Sequence, residues 1–335
     1  MTSQSQADVG SENLFVASTY ADILSDVASI PMAKASVQMS SVATRISMPD
    51  PVCLESLSQV TYHMINSQSS SEEIQTSPIQ TDVFDEVVCT FPLGYLKRRH
   101  TTLFHPPLPP SILKAISAIS YGNLEKIYLT FPTAFWTQPS LSPDATDIGF
   151  THFLHPPATT LNPTSANIEL LSLASLPGDT AQPTLLFYLY PPLSMSLTST
   201  LAATPATDHH EYLSTFLEPY YSLLPHYIRD SPDCTPSASF ATSWSTDEYA
   251  GYGSYTNFQT VSAGQVVQAN GDQSATSVGL DRHIECLRHG LPERRLWFAG
   301  EATAPFVGLG TVTGAYWSGE KVAERILEAY SMTRN

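Results

Sequence analysis

The chain is short of positive charge. Lysine and arginine number 15 against 31 acidic residues, a formal net charge of −16 over 335 residues. So few cations argue against a basic face able to hold nucleic acid or an anionic membrane. The same field would favour a cationic small molecule, or serve solubility alone. Cysteine is also sparse: Cys53, Cys89, Cys234 and Cys286 are scattered without C-x-x-C spacing. That argues against a disulfide framework or a structural zinc and suits a reducing compartment. The most apolar stretch, Leu170 to Leu197, is broken by prolines and Asp179, so it cannot cross a bilayer as a helix. The first basic residue is Lys34, which fits neither a secretory signal nor an arginine-rich transit peptide, and Ser331 to Asn335 is not a peroxisomal tripeptide. The cytoplasm is the location expected. Hydrolase and metalloprotease spacings are missing too. Gly253-Ser254 lacks a G-x-S-x-G frame. Asp208-His-His-Glu211 lacks His-Glu-x-x-His and is expected to start a helix rather than hold a metal. No G-x-G-x-x-G occurs: the pairs Gly251/Gly253 and Gly308/Gly310 have no third glycine and no βαβ unit around them.

What is present is enough apolar residue, 42% of the chain, for one large core or two modest ones. The most informative stretch lies near the C-terminus. Leu296 to Ala299 is a short apolar run ending at Gly300, the pattern of a buried strand. A loop with Gly308 and Gly310 follows, and from Val312 the period becomes helical through Ala315, Tyr316, Gly319, Val322 and Ile326. Ala315, Gly319 and Ala323 form a small-residue stripe expected to let the helix lie close to a neighbour. A strand, a glycine loop and a helix start with free N–H groups can seat an electron-rich ligand atom, or can simply pack.

Earlier in the chain, a helix is expected near Tyr20 to Ala28 and strands over Ser36 to Ile46, Val60 to His63 and Phe84 to Phe91, with a polar loop from Asn66 to Thr81. Pro92 ends the last of these strands and Gly94 permits a sharp exit, which leaves Thr90 at a strand end, where open α/β sheets bind ligands. His105 to Pro110 leads into a helix over Ile112 to Ile119. Lys126 stands in the apolar run Leu124 to Phe131, where a buried ammonium needs a partner or must snorkel to the surface. Thr137 to Asn167 and Pro191 to Thr207 are Pro/Ser/Thr-rich and expected to be loops, with a buried strand at Thr184 to Tyr190 and a helix running on to Leu224. Val261 to His289 has the character of an insertion.

Several of these segments share one resemblance. Phe298-Ala-Gly-Glu-Ala-Thr303 with Gly310-Thr-Val-Thr-Gly-Ala-Tyr316 and Ser318-Gly319, Cys89-Thr-Phe-Pro-Leu-Gly94, Gly122-Asn-Leu-Glu-Lys126 and Trp244-Ser-Thr-Asp247 with Gly253-Ser-Tyr255 resemble blocks of the flavin-containing amine oxidase family. That family includes polyamine oxidases, monoamine oxidases and lysine-specific histone demethylases. The resemblance implies a mixed α/β fold in which part of a Rossmann-like FAD-binding domain interleaves with a mixed-sheet substrate domain. Residues 1–12 are expected to be disordered, 13–95 and 251–335 to belong to the flavin side, and 96–250 to the substrate side.

By resemblance, FAD is the cofactor and a small amine the substrate. Val42, Thr90, Pro92, Trp244, Gly300, Glu301, Gly310, Thr311 and Val312 are the expected cofactor-binding residues, the last two through N–H groups at the helix start. On the residues alone, Val42 is equally an ordinary strand residue. Lys126 would hold a water at the flavin edge, and Tyr255 and Thr311 would flank the substrate. Thr313 stands where many members carry histidine. The missing G-x-G-x-x-G leaves an alternative: a truncated, catalytically silent relative that acts as an interaction module, or one that needs a partner chain for the ADP half of FAD.

Overall fold

The computed structural model describes residues 20–49, 57–64, 79–137, 149–257 and 280–332. The expected disordered leader at 1–12 lies outside these, as do residues 261–279 of the expected insertion. After helix α1 (Tyr20–Met32), strands β1 (Ser41–Ser47), β2 (Ser58–Met64) and β3 (Ile79–Phe84) run antiparallel, and β5 (Phe104–His105) adds to β1 in parallel. The strand expected from Ser36 thus starts only at Ser41. β3 occupies the end of the stretch expected to be a loop and is exposed along its whole length.

Strand β4 (Val87–Cys89) is shorter than the run expected to Phe91, because Pro92 sits at the N-cap of helix α2 (Leu93–Leu103). Pro110 opens helix α3 (Pro110–Ala118) at a position where a missing N–H costs nothing. The stretch from Tyr121 is divided into β6 (Ser120–Gly122) and β7 (Glu125–Thr130). β7 then joins β8 (Phe150–Phe153), β9 (Ile168–Ser172), β10 (Thr184–Leu189) and β11 (Ala238–Ala241) in an antiparallel sheet of order β11-β7-β10-β9-β8.

Two helices cover the back of this sheet, α4 (Leu193–Ala203) and α5 (His209–Tyr221). α4 corrects the loop expected there. Its Leu193, Leu197 and Leu201 recur every four residues and are buried, and the hydroxyls of Thr198 and Thr200 bond back to carbonyls one turn earlier instead of breaking the helix. β8 likewise lies inside a stretch expected to be loop.

The chain closes with β12 (Tyr255–Asn257), which pairs with β6, then helix α6 (Leu280–His289), β13 (Leu296–Phe298) parallel to β4, and helix α7 (Val312–Met332). α6 falls within the expected insertion, yet Ile284 and Leu287 are fully buried beside α3. One core gathers residues between Ile46 and Ile119 with residues between Ile284 and Ala302; the other is built from Ile127 to Leu224. Helices α2 and α3 therefore belong to the same core as the C-terminal βα unit.

Candidate active site

The site forms where the C-terminal βα unit meets β6 and β12. β13 is buried at all three residues, and the chain leaves it at Gly300, with φ 112°. The Gly300 N–H donates to Ser318 Oγ at 2.8 Å, and that hydroxyl donates to Ala315 O at 2.7 Å. α7 is thus strapped to the turn that precedes it. Arg288 on α6 adds a second strap, donating from Nε to Thr303 O at 2.7 Å and from Nη2 to Ala304 O at 2.9 Å.

Glu301 supplies the third. Its Oε1 accepts the Thr256 N–H at 3.2 Å and hydroxyl at 2.7 Å, and its Oε2 accepts the Gly310 N–H at 3.0 Å. Burial lifts the Glu301 carboxyl above its ordinary range, against the pull of those three bonds. The carboxylate expected to bind the cofactor is therefore already holding the glycine loop to β12.

That loop depends on its glycines. Gly310 has φ 73°, and a Cβ there would stand 2.6 Å from Thr256 O. A Cβ on Gly314 would stand 1.9 Å from Gly308 O, so helix and loop touch backbone to backbone. Thr311 caps α7: its Oγ1 accepts the Gly314 N–H at 2.9 Å and donates to Gly308 O at 2.8 Å, while its own N–H donates to Gly308 O at 3.2 Å. Against expectation, the Thr311 N–H is thus spent on the turn. Val312, at the first helical position, has no acceptor within the helix.

Between the end of β4 and the start of α7 lies a cleft of about 390 Å³, lined by Thr90, Phe91, Pro92, Tyr121, Ser254, Gly300, Glu301, Ala302, Ala315 and Gly319 among others. Pockets that hold small ligands and cofactors run from about 300 to 1,000 Å³. A Cβ on Gly300 would meet only Thr90 O, at 3.8 Å, and one on Gly319 would meet nothing within 4 Å. Small residues thus keep this space clear. The stripe of Ala315 and Gly319 lines the cleft rather than a neighbouring helix. Among the predicted cofactor residues, Thr90, Pro92, Gly300 and Glu301 come together here, with Gly310, Thr311 and Val312 on the adjoining loop. Val42 and Trp244 do not line the cleft. Val42 sits in β1 opposite His63, and Trp244 is 45% exposed.

Tyr255 joins this cleft to the front of the five-stranded sheet. Its Cδ2 lies 3.1 Å from where a Gly310 Cβ would be, and burial followed by the charge of Glu169 raises its phenol. β7 alternates buried and half-buried residues, so Lys126 faces the front while Glu125, Ile127 and Leu129 face inward. The Lys126 ammonium lies 5.7 Å from the centre of the Tyr188 ring, a cation–π contact. Lys126 stays half-buried on an aromatic surface instead of being enclosed.

The residue next to it escaped the sequence reading. Glu125 is 0% exposed and accepts four bonds, from the Thr242 hydroxyl at 2.5 Å, the Trp244 N–H at 3.2 Å, and the Ser245 N–H and hydroxyl at 2.7 and 2.8 Å. It fixes the loop that carries Trp244. Its signal was an acid in an apolar strand at a position of buried parity. Arg288 was also missed, and Ser318, part of the C-terminal motif, had no role assigned to it.

Comparison with known proteins decides what this arrangement belongs to. The family model described as flavin containing amine oxidoreductase matches residues 39–327. The chain belongs to that family. Among its relatives, Protein anon-37Cs of Drosophila lebanonensis is 31% identical over 73% of this chain and 40% of that protein. Lysine-specific histone demethylase 1 homolog 3 of Oryza sativa subsp. indica is 29% identical over 79% of this chain and 28% of its own length. A putrescine oxidase redesigned in its cofactor binding shares the fold, with a TM-score of 0.54 at 16% identity over 90% of this chain and 51% of that one. The chain thus spans about half the length of these relatives or less. The mixed α/β architecture and FAD as the cofactor of the family agree with the sequence expectation.

Among the described residues, no group of three or more His, Cys, Asp or Glu is placed to hold a metal ion. His209 Nε2 instead bonds to Leu201 O and Thr204 O, at 2.9 and 3.0 Å. No described helix is long and apolar enough to cross a membrane.

Proposed function

We propose that this chain carries the flavin seat and the substrate wall of an FAD-dependent amine oxidase. The observation that supports it is contiguity: a cleft kept clear by Gly300, Ala315 and Gly319 adjoins Tyr255, which in turn adjoins the aromatic sheet face bearing Lys126. When bound, FAD supplies a two-electron acceptor that takes hydride from the amine α-carbon and passes the electrons to oxygen, giving hydrogen peroxide. Thr90, Pro92 and Gly300 would floor the ring system, and Val312 would offer an N–H at the positive end of the α7 dipole. Lys126 would hold a water at the reacting edge, and Tyr255 and Thr311 would flank the amine. The net charge of −16 draws protonated amines toward the protein, although the nitrogen that reacts must be neutral. Water then hydrolyses the imine product.

The test is to load the chain with FAD, exclude oxygen and add primary and secondary amines. Loss of the visible flavin absorption on adding an amine supports the proposal; a spectrum unmoved by every amine refutes it.

A second reading concerns the ADP half of FAD. Among the described residues, β13 and β4 form a two-stranded parallel sheet, whereas parallel strands are ordinarily covered on both sides within larger sheets. β4 borders a groove of about 310 Å³ lined by Ala43, Ile46, Val60 and Val88. This favours a further strand-bearing unit that completes the sheet and grips the dinucleotide. On that reading, FAD binding strengthens when such a unit is supplied, and equal affinity with and without it removes the reading.

A further inference from the structure

The two histidines that open α5 border a second cavity, of about 450 Å³, between α4, α5 and β11. It shares no lining residue with the cleft at Gly300. Ser239 pairs with Leu129 and Ala241 with Ile127, and cross-strand partners share a face, so Ser239 and Ala241 point to the back of the sheet. Leu201 of α4 and Leu213 of α5, both buried, supply the apolar wall opposite them. His210 Nδ1 lies 3.0 Å from Ser239 Oγ, and Ser243 brings a further hydroxyl from the turn after β11. His209, bonded to Leu201 O and Thr204 O, closes the corner between the helices. No lysine, arginine, aspartate or glutamate lines the cavity, although 14% of the chain is charged.

The cavity also touches a segment tied to the front of the sheet. Ser243 and Thr246 line it, and α4 packs against Trp244 to Thr246. One residue earlier, Thr242 is bonded to Lys126 in both directions. The Lys126 N–H donates to Thr242 Oγ1 at 2.8 Å, and the Thr242 N–H donates to Lys126 O at 2.9 Å.

We propose that this cavity is an effector site for a neutral, hydroxyl-bearing small molecule with a compact apolar body, and that its occupant steadies the turn Ser243 to Thr246. The volume falls within the range of about 300–1,000 Å³ found for small-ligand pockets. A charged group placed here would give up its water against an uncharged wall and gain no ion pair. An imidazole and two serine hydroxyls both donate and accept, which suits a ligand hydroxyl that does the same. The apolar body would lie on Leu201, Leu213 and Ala241. Flavin binding and amine oxidation play no part in the assignment.

The experiment is calorimetric titration of the full chain with phenol, and with benzoate as a charged ring of similar size, at about pH 8, on the alkaline side of imidazole titration. The wild type should bind phenol saturably and benzoate at least about tenfold more weakly. Ala202→Trp, at an exposed position on the cavity wall, should abolish phenol binding. His210→Ala, also exposed, should weaken it a few-fold and serves as the readout if Ala202→Trp fails to fold. Phenol should in addition slow amide hydrogen exchange across residues 243–246 in the wild type and not in Ala202→Trp. Binding that does not saturate, that is equal for phenol and benzoate, or that survives Ala202→Trp or, in its place, His210→Ala, overturns the site. Exchange unmoved by saturating phenol overturns the occupant's hold on the turn.

Discussion

The five-stranded sheet turns two different faces to its surroundings, although the same strands make both. Its back carries Ile127, Leu129, Leu185, Phe187, Leu189 and Leu170, all fully buried against α4 and α5. Its front carries Lys126, Tyr128, Tyr188 and Glu169, half-buried or in reach of solvent. Glu125 and Glu169 mark the contrast. Glu125 points inward with every bond made inside the protein, and Glu169 points outward with bonding capacity to spare. Strand alternation thus separates the side chains that hold the fold from those available for chemistry. A change on one face should leave the work of the other nearly intact.

The largest effect belongs to the back. Phe187→Ala leaves a cavity in a closed core and should cost about 3–5 kcal/mol in urea unfolding, while the folded fraction keeps its flavin chemistry. Loss of that chemistry in folded molecules would break the separation. On the front, Lys126→Met should slow amine-driven flavin reduction or its reoxidation about a hundredfold, or about 2.7 kcal/mol, with the melting temperature unchanged. Unchanged kinetics would remove Lys126 from the mechanism.

The glycine loop before α7 gives intermediate values. Thr311→Ala removes the cap of α7 and should lower stability by about 1 kcal/mol, read from the same unfolding curves. Glu301 sharpens the point through pH. Its carboxyl titrates above its ordinary value, so its contribution is fully present below the unfolded-state pKa and is lost as pH rises through the folded one. Glu301→Gln should flatten that fall, just above the ordinary glutamate range; an unchanged slope would assign the dependence elsewhere. The smallest effect is Tyr188→Phe, expected within about 0.5 kcal/mol of wild-type stability.

The parts legible in the sequence were those whose local pattern agreed with their tertiary role. Leu296 to Phe298 reads as a buried strand and is one, and the period from Val312 gives α7 directly. The thin spots were edges and hydroxyl-rich segments. α4 was hidden because serine, threonine and proline signal loop, while its three spaced leucines carry the burial. Among the described residues, β3 and β8 lie at sheet edges, where pairing on one side only admits polar sequence. At the site, the motif residues around Gly300 and Gly310 were found, but their roles were less visible. Glu301, Ser318 and Arg288 all act through bonds to backbone groups 9 to 45 residues away in the chain, and no spacing rule encodes such ties.

The central claim is that the cleft between Thr90, Gly300 and the start of α7 seats a flavin. The most direct measurement is titration of FAD into the purified chain, followed by quenching of flavin fluorescence, for the wild type and for Gly319→Phe. The substituted ring would enter the cleft from a helical position that favours a side chain over glycine. The account predicts saturable quenching in the wild type and its loss in a folded Gly319→Phe variant. Equal quenching in both, or none in either, would contradict it.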